Sequence, residues 1–276
     1  MSWAGPLIRF TDAPAIAVSA WRLTLSVALI LLVLAVRRAA LPRLGRLDWL
    51  LAVAAGIFLA LHFWSWIASL GLTTVSSSVV LVSAQPLFVA LLSAALLGEP
   101  ATHRQWLGIL VAVAGAAVIG WGDFGRGRDA LIGDALALSG ALFVSCYYVI
   151  GRRLRLQLDL WWYTGIVYGV AAVSLLGVAV VLPGVALVGY GRTDWLIFLA
   201  LAAGPMMLGH TGVNYALRYV RAYVANLASL GEPIGATLIA WALPGIREVP
   251  GPQTVAGGVL ILGGVLMAVT GRREAT

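Results

Sequence analysis

Long apolar runs, separated by short breaks, recur along almost the whole 276-residue chain. A helix needs about 20 apolar residues to cross the roughly 30 Å hydrocarbon core of a bilayer. With 61% hydrophobic and 11% charged residues and a mean hydropathy of +0.97, the composition excludes a soluble globular domain. The sequence therefore predicts an all-α polytopic membrane protein whose main partner is the lipid bilayer. The net charge of +7 does not indicate nucleic-acid binding here.

Breaks at Gly, Pro and Arg divide these runs into nine predicted spans. The spans are 14–36, 48–70, 73–97, 106–122, 131–150, 160–183, 194–217, 222–245 and 252–270. Residues 1–10 hold too short an apolar stretch to cross a bilayer, so we expect only a stub there.

The placement of the arginines predicts the orientation of the chain. All eighteen basic residues are arginine. Alternation of the spans assigns twelve of them to one side, the arginine-rich face: Arg37, Arg38, Arg43, Arg46, Arg104, Arg152, Arg153, Arg155, Arg218, Arg221, Arg272 and Arg273. The arginine-poor face receives five: Arg9, Arg126, Arg128, Arg192 and Arg247. Positive charge concentrates in cytoplasmic loops, so we expect the C-terminus to be cytoplasmic.

The second half of the sequence resembles the first. "DWLLAVAAG" at 48–56 resembles "DWLIFLALAAG" at 194–204, and "HFWSWIASL" at 62–70 aligns with "HTGVNYALR" at 210–218. The same register sets Pro86 on Pro233 and Glu99 on Glu248.

Each copy contains five spans when the stub is counted. An odd number of crossings forces the second copy to run through the bilayer in the opposite sense, so the copies form an inverted repeat. The predicted units are 1–122 and 131–270. Inverted repeats are typical of secondary transporters whose site lies near the midplane.

Three segments carry a family resemblance. "APAIAVSAWRL", "HFWSWIASLGLTTVSSSVVLVSAQPLFVALLSAALLGE" and "GHTGVNYALRYVRAYVANLASLGEPIGATLIAWALPG" resemble the drug/metabolite transporter superfamily, EamA type, as found in bacterial amino acid and metabolite exporters. The resemblance implies ten helices, both termini in the cytoplasm, a small-molecule substrate and no cofactor.

The sequence departs from this family at its start, because residues 1–10 look like the last third of the first family helix. Either the start codon is misassigned or one wall of the cavity is missing. We favour a misassigned start, since the charge asymmetry places residue 12 where a complete first helix would end.

Two histidines occupy matching points of the two copies. His62 is followed four residues later by Trp66, and His210 by Asn214, and positions i and i+4 share a helix face. Polar groups at that depth belong in the bundle interior, because lipid exposure is costly. They either line a central cavity reached from one side of the membrane or form hydrogen bonds that only hold helices together.

With the stub counted as the first span here and below, Glu232 lies about 16 Å into the ninth span, 222–245, near the bilayer centre. Its repeat partner is the neutral Gln85, and Pro233 follows it and is expected to bend the helix. The carboxyl group either exchanges a proton or contacts a substrate ammonium group, or it hydrogen-bonds a neighbouring helix.

Arg22 lies well inside the span at 14–36. It is expected to receive a substrate carboxylate, to pair with an acidic group, or to extend outward to the interface. Trp66 and Tyr147 are the aromatic residues placed deep enough for a cavity, whereas the others fit the interfacial belt. Asn226 adds a small polar group to the ninth span.

Glycines in the fifth and tenth spans fall at helix-packing spacing: Gly108, Gly115, Gly120, Gly257 and Gly264. They should bring these two helices together, and we also consider that part of this surface forms a homodimer face.

Motifs of soluble enzymes and a persuasive metal-ligand set are absent from the sequence. We therefore expect a transporter, not an enzyme, that exports amino acids or related small metabolites by alternating access. The alternatives are an intramembrane enzyme using His62, His210 and Glu232, and a non-transporting assembly subunit. The predicted substrate-binding residues are Arg22, His62, Trp66, Gln85, Tyr147, His210, Asn214, Asn226 and Glu232.

Overall fold

A computed structural model of the chain describes residues 1–97, 102–124, 126–220, 222–226, 229 and 231–270. Within these ranges the regular structure is entirely helical. Four residues used for the repeat register and the charge count, Glu99, Arg221, Arg272 and Arg273, lie outside the described residues.

The described helices follow the predicted spans closely. In chain order they are α1 (Ala4–Ile8), α2 (Ala15–Val36), α3 (Arg46–Leu72), α4 (Val75–Val82), α5 (Gln85–Leu97), α6 (His103–Phe124), α7 (Arg128–Arg155), α8 (Leu160–Val181), α9 (Arg192–Leu201), a π-helical segment (Ala202–His210), α10 (Thr211–Ala216), α11 (Ala222–Asn226), α12 (Gly231–Ala242) and α13 (Pro252–Thr270). The five-residue helix α1 is the predicted stub.

Within the described residues, seven helical segments are long and apolar enough to cross a bilayer. The predicted spans at 222–245 and 252–270 are not among them. The first is described as the two short helices α11 and α12, and the second contributes the shorter apolar stretch Pro252–Ala268.

The fourth span is interrupted beside its proline. In the fourth span α4 ends at Val82 and α5 begins at Gln85, so that Pro86 is the second residue of the new helix. In the ninth span the described part of α12 starts at Gly231, and residues 227, 228 and 230 before it lie outside the described residues. Proline lacks a backbone N–H and fits the first turn of a helix, where that donor is not needed. Pro86 therefore lies in the first turn of α5, near mid-membrane, whereas the bend expected at Pro233 stays a prediction.

The eighth span also departs from a regular α-helix. Residues Ala202–His210 are π-helical, and Pro205 within this segment cannot donate a backbone hydrogen bond. The aligned part of the first copy lies within the uninterrupted α-helix α3. Such π segments are rare and often accompany functional sites.

Contacts between α6 and α13 show the inverted relation of the repeats. A Cβ added at Gly108 would lie 2.5 Å from the carbonyl oxygen of Gly264, and one at Gly257 would lie 2.5 Å from that of Gly115. As the chain advances along α6 from 108 to 115, its partner moves back along α13 from 264 to 257. The two helices are thus antiparallel, and exchanging the copies exchanges the two contacts.

The other helix pairs follow the same symmetry. Helix α2 packs on α8, its repeat counterpart. Helix α3 packs on α8, and the equivalent contact after the two copies are exchanged is that of α2 with α9 and the π-helical segment. The core between the copies therefore consists of repeated contacts, as two equivalent units related by a two-fold axis require.

We expect Gly108→Ala to lower the thermal stability of the detergent-solubilised protein. The added methyl group would overlap the backbone of α13, and overpacking of this kind costs about 1 to 3 kcal/mol. Gly120→Ala on the same helix is the matched control, because no described atom lies within 4 Å of its added Cβ. Equal melting temperatures for the two variants would contradict this account of the α6–α13 contact.

Candidate functional site

A small polar cavity lies between the two repeats, beside the break between α4 and α5 and the start of α12. Its volume is about 30 Å³, which holds water but not an amino acid. The lining residues are Met1, Ala4, Arg22, His62, Trp66, Val82, Gln85, Tyr148, Pro205, His210 and Glu232. Both copies contribute, as expected of a site on the axis that relates them.

Six of the nine predicted site residues line this cavity: Arg22, His62, Trp66, Gln85, His210 and Glu232. Tyr147, Asn214 and Asn226 do not. The repeat register therefore brings six of the predicted residues to one cavity but does not separate its lining from the neighbouring polar contacts.

His62 is both hydrogen-bonded and exposed to the cavity. Its Nδ1 lies 2.8 Å from the carbonyl oxygen of Gly140 on α7. A carbonyl oxygen only accepts, so Nδ1 carries the hydrogen and donates it, and in the neutral ring Nε2 keeps a free lone pair. The imidazole stacks on Trp66 with 3° between the ring planes and the centroids 6.3 Å apart. The hydrogen bond to Gly140 and the stacking on Trp66 together fix the orientation of the His62 ring.

His210 faces His62 across the cavity, with 6.0 Å between the ring centroids. Its Nδ1 lies 3.3 Å from the Tyr148 hydroxyl, within hydrogen-bond distance. The two histidines therefore meet at the axis between the copies while each is held by α7.

Arg22 is buried, at 1% exposure, and its side chain reaches the same cavity. Its guanidinium carbon lies 4.1 Å from the centroid of the Phe63 ring, a cation–π contact. Nε and Nη1 have no hydrogen-bond partner among the described residues. The arginine thus presents unpaired donors beside a water-sized space.

Glu232 forms part of the wall shared by this cavity and a second, larger one of about 470 Å³. The larger cavity is a groove beside the stub, lined mainly by Leu208, Gly209, Gly212, Val213, Ala216, Ala225, Ser229 and Gly231. It extends along α10 toward the arginine-rich face. Among the described residues the Glu232 carboxyl group has no hydrogen bond and no ion pair within 4 Å.

Unlike its repeat partner Glu232, Gln85 forms hydrogen bonds to neighbouring spans. Its side-chain nitrogen donates a 2.8 Å hydrogen bond to the Ser229 hydroxyl, and its backbone carbonyl accepts one from Ser145. Asn226 lies nearby, and its one side-chain bond to a described residue is donated to the carbonyl oxygen of Ala222, one turn back on its own helix. The polar bond between Gln85 and Ser229 thus joins the fourth and ninth spans.

The prediction that Asn214 shares the cavity with His210 is wrong. Its side-chain nitrogen donates to the hydroxyl groups of Tyr147 and Tyr168, the latter at 3.1 Å, and the Tyr168 hydroxyl lies 3.1 Å from that of Thr211. Asn214 lies one turn nearer the arginine-rich face than His210. These four residues form a buried polar cluster between the cavity and that face.

The model of the EamA-like transporter family matches this sequence twice, over residues 2–121 and 131–270. The chain belongs to the EamA-like transporter family. Its two matches fall on the two halves of the inverted repeat described above.

Two individual similarities accompany the EamA match. An uncharacterized transporter of Bacillus subtilis (strain 168), YdfC, is 26% identical over 191 residues, which cover 67% of this chain. The chain spans 60% of the length of that relative. A solved structure described as "Crystal structure of protein" has a TM-score of 0.68 at 22% identity and covers 99% of this chain and 96% of its own. At that identity the likeness shows the fold alone.

Sequence reasoning missed one conspicuous member of the cavity wall in this EamA protein, Tyr148. It was assigned with other aromatics to the interfacial belt, yet it is buried and contacts His210. Helical spacing gives the missing signal, because Gly140, Val144 and Tyr148 are four residues apart and share one face of α7. Gly140 on that face accepts the His62 hydrogen bond.

Proposed function

We propose that this EamA protein is a secondary transporter that exports amino acids or related small zwitterionic metabolites. Transport would proceed by alternating access, with the two inverted repeats closing around the central cavity and opening first to one face and then to the other. The arginine-rich face would be cytoplasmic and the membrane the bacterial inner membrane.

One observation carries this proposal: the cavity contains a cation and a carboxyl group that each lack a hydrogen-bond partner among the described residues and that attract each other only over a distance longer than an ion pair, with the Met1 ammonium group as a further charge near Glu232. Arg22 has two donors without partners, and the Glu232 carboxyl group has no hydrogen bond among the described residues. No ion pair within 4 Å joins these two described side chains. An α-amino acid carries a carboxylate for the first and an ammonium group for the second.

The cavity volume bears on the conformational state. A space of about 30 Å³ must widen several-fold before it encloses even a small amino acid, since ligand pockets typically measure about 300 Å³ or more. We assign this conformation to a step of the cycle in which the central cavity is closed.

The assembly-subunit alternative is less well supported. It requires the buried polar groups near the midplane to be used up in hydrogen bonds that hold helices together. Instead, Trp66 Nε1 and two Arg22 nitrogens lack partners among the described residues, and all belong to cavity-lining side chains. Unpaired buried donors cost stability, which suits a binding site better than a purely structural contact.

A flux assay in inside-out vesicles tests the proposal. We expect uptake of at least one labelled α-amino acid from a panel, measured with and without a pH gradient. An excess of the unlabelled amino acid should compete, whereas its methyl ester and its desamino analogue should compete at least tenfold less well, since each lacks one charge. A charge-assisted hydrogen bond contributes about 1.5 to 3 kcal/mol, which exceeds a factor of ten.

Vesicles from cells lacking the protein provide the background for this assay. Uptake at background level for the whole panel would reject amino acid transport, and equal competition by the analogues would reject the roles of Arg22 and Glu232. Chemical conversion of a substrate without its movement across the membrane would favour the intramembrane-enzyme alternative.

A further inference from the structure

A carboxylate from the second repeat caps a helix of the first repeat at the arginine-poor face. Glu248 lies in the connection between α12 and α13, and its side chain is 14% exposed. Its two oxygens accept hydrogen bonds from the backbone N–H groups of Val75 and Ser76, each at 2.9 Å. These are the first two residues of α4.

The bonds from Glu248 complete the N-terminus of α4. The third N–H group of this helix, that of Ser77, is bonded to the Thr74 side chain at 2.9 Å. The first N–H groups of a helix have no partner within it, and they carry the positive end of its dipole. Without Glu248, two buried donors would lose an ionised acceptor.

Arg9 reinforces this contact. Its Nη2 donates to the Thr73 carbonyl oxygen at 3.0 Å and lies 3.8 Å from a Glu248 oxygen. The arginine comes from the end of the stub, in the first repeat. Glu248 is thus held by two backbone donors and one cation of the opposite repeat.

Both ends of the contact are connected to the cavity. Helix α4 runs from Val75 to Val82, which lines the cavity. The backbone N–H of Glu248 donates to the carbonyl oxygen of Ala240 on α12, the helix that begins beside Glu232. Separation of the repeats at this face would pull these two helices apart and break both Glu248 bonds.

We infer that Glu248, with Arg9, is a gating latch that holds the arginine-poor face closed and must release before the cavity opens there. The latch rests on the proposed function, because it acts only if the repeats separate at this face during transport. Loss of its charge should shift the resting population toward a conformation open to the arginine-poor face.

Cysteine labelling tests the latch without any substrate. The chain has one cysteine, Cys146, and Cys146→Ser gives a cysteine-free background for the reporter Val82→Cys in the cavity wall. A charged, membrane-impermeant thiol reagent is added to whole cells and, separately, to inside-out vesicles. We expect Glu248→Gln to raise the labelling rate from the arginine-poor face about five- to tenfold, since a helix cap contributes about 1 kcal/mol or more.

Three controls accompany the measurement. Val188→Cys, in the 75% exposed part of the connection between α8 and α9, identifies the preparation that presents the arginine-poor face. Asp129→Asn removes a carboxylate from the first turn of α7 at the same face and should leave the labelling of Val82→Cys unchanged. Arg9→Gln should raise the labelling less than Glu248→Gln, because both backbone bonds to Glu248 remain.

The latch is rejected if Glu248→Gln labels at Val82→Cys no faster than the protein that keeps Glu248. It is also rejected if the labelling rate rises equally from both faces, which would indicate a general loosening of the fold. An equal rise in Asp129→Asn would also reject it. A positive labelling result with no amino acid flux would reject the proposed substrate and retain the latch, whereas normal flux with unchanged labelling would reject the latch alone.

Discussion

Glu232→Gln is expected to keep the fold and to lower amino acid flux at least tenfold. The amide has the size of the carboxyl group but neither its charge nor its capacity to exchange a proton. The carboxyl group has no hydrogen bond or close ion pair to a described residue, so its replacement breaks no contact that holds helices together. A substrate ammonium group would lose an ionised partner, which costs about 1.5 to 3 kcal/mol. The measurement is export of a labelled amino acid, with membrane insertion quantified in parallel.

Glu232→Asp separates charge from shape. It keeps the carboxylate but shortens the side chain by one methylene group. If charge or proton exchange matters, the aspartate variant should retain more flux than the glutamine variant across pH 6 to 8. If Glu232→Gln transports within a factor of two of wild type over that range, Glu232 is structural and the site must be sought at Arg22 and the histidine pair.

The helical architecture was predictable because the bilayer leaves few choices. A lipid-exposed segment must form all its backbone hydrogen bonds within itself, so each apolar run of about 20 residues indicates a helix. The antiparallel α6–α13 pair follows from the odd number of spans in each copy, together with glycines at matching positions. Those features depend on residue type and spacing, which can be read from a single sequence.

The interruptions of the helices were not predictable in the same way. A proline in an apolar run either kinks a helix or begins a new one, and neighbouring helices decide between the two. Pro86 lies in the first turn of a helix, whereas Pro205 lies inside a π-helical segment. Both are prolines within apolar runs, and local sequence does not distinguish their outcomes.

The site was predicted in part for a related reason. The repeat register brings His62 to His210 and Gln85 near Glu232, because symmetry relates positions without any knowledge of neighbours. Asn214 has the right spacing from His210 yet bonds two tyrosines, since α7 and α8 present Tyr147 and Tyr168 at that level. Helix-face arguments give a direction for a side chain but not the partner it meets.

Arg22→Met should lower the flux of the amino acid by about a hundredfold. The variant should no longer discriminate between the amino acid and its methyl ester. Its melting temperature should stay the same or rise. The loss of flux follows from the proposed carboxylate contact, because paired charge-assisted bonds contribute about 1.5 to 3 kcal/mol each. The gain in stability follows from burial: a desolvated cation with two unpaired nitrogens is replaced by an apolar side chain of similar length.

Arg155→Met is the matched control, because Arg155 is also buried, at 2% exposure, but two of its nitrogens are bonded. Its Nε donates to the Asn214 carbonyl oxygen at 2.9 Å, and its Nη1 donates to that of Leu158. Removing it leaves two carbonyl groups unsatisfied, so this variant should melt at a lower temperature. The change in melting temperature distinguishes a binding site from a structural contact. Loss of Arg155 should lower the melting temperature, whereas loss of Arg22 should leave it unchanged or raise it while transport disappears. A fall in melting temperature for Arg22→Met as large as that for Arg155→Met would show that Arg22 holds the fold together and leave the substrate carboxylate without its proposed partner.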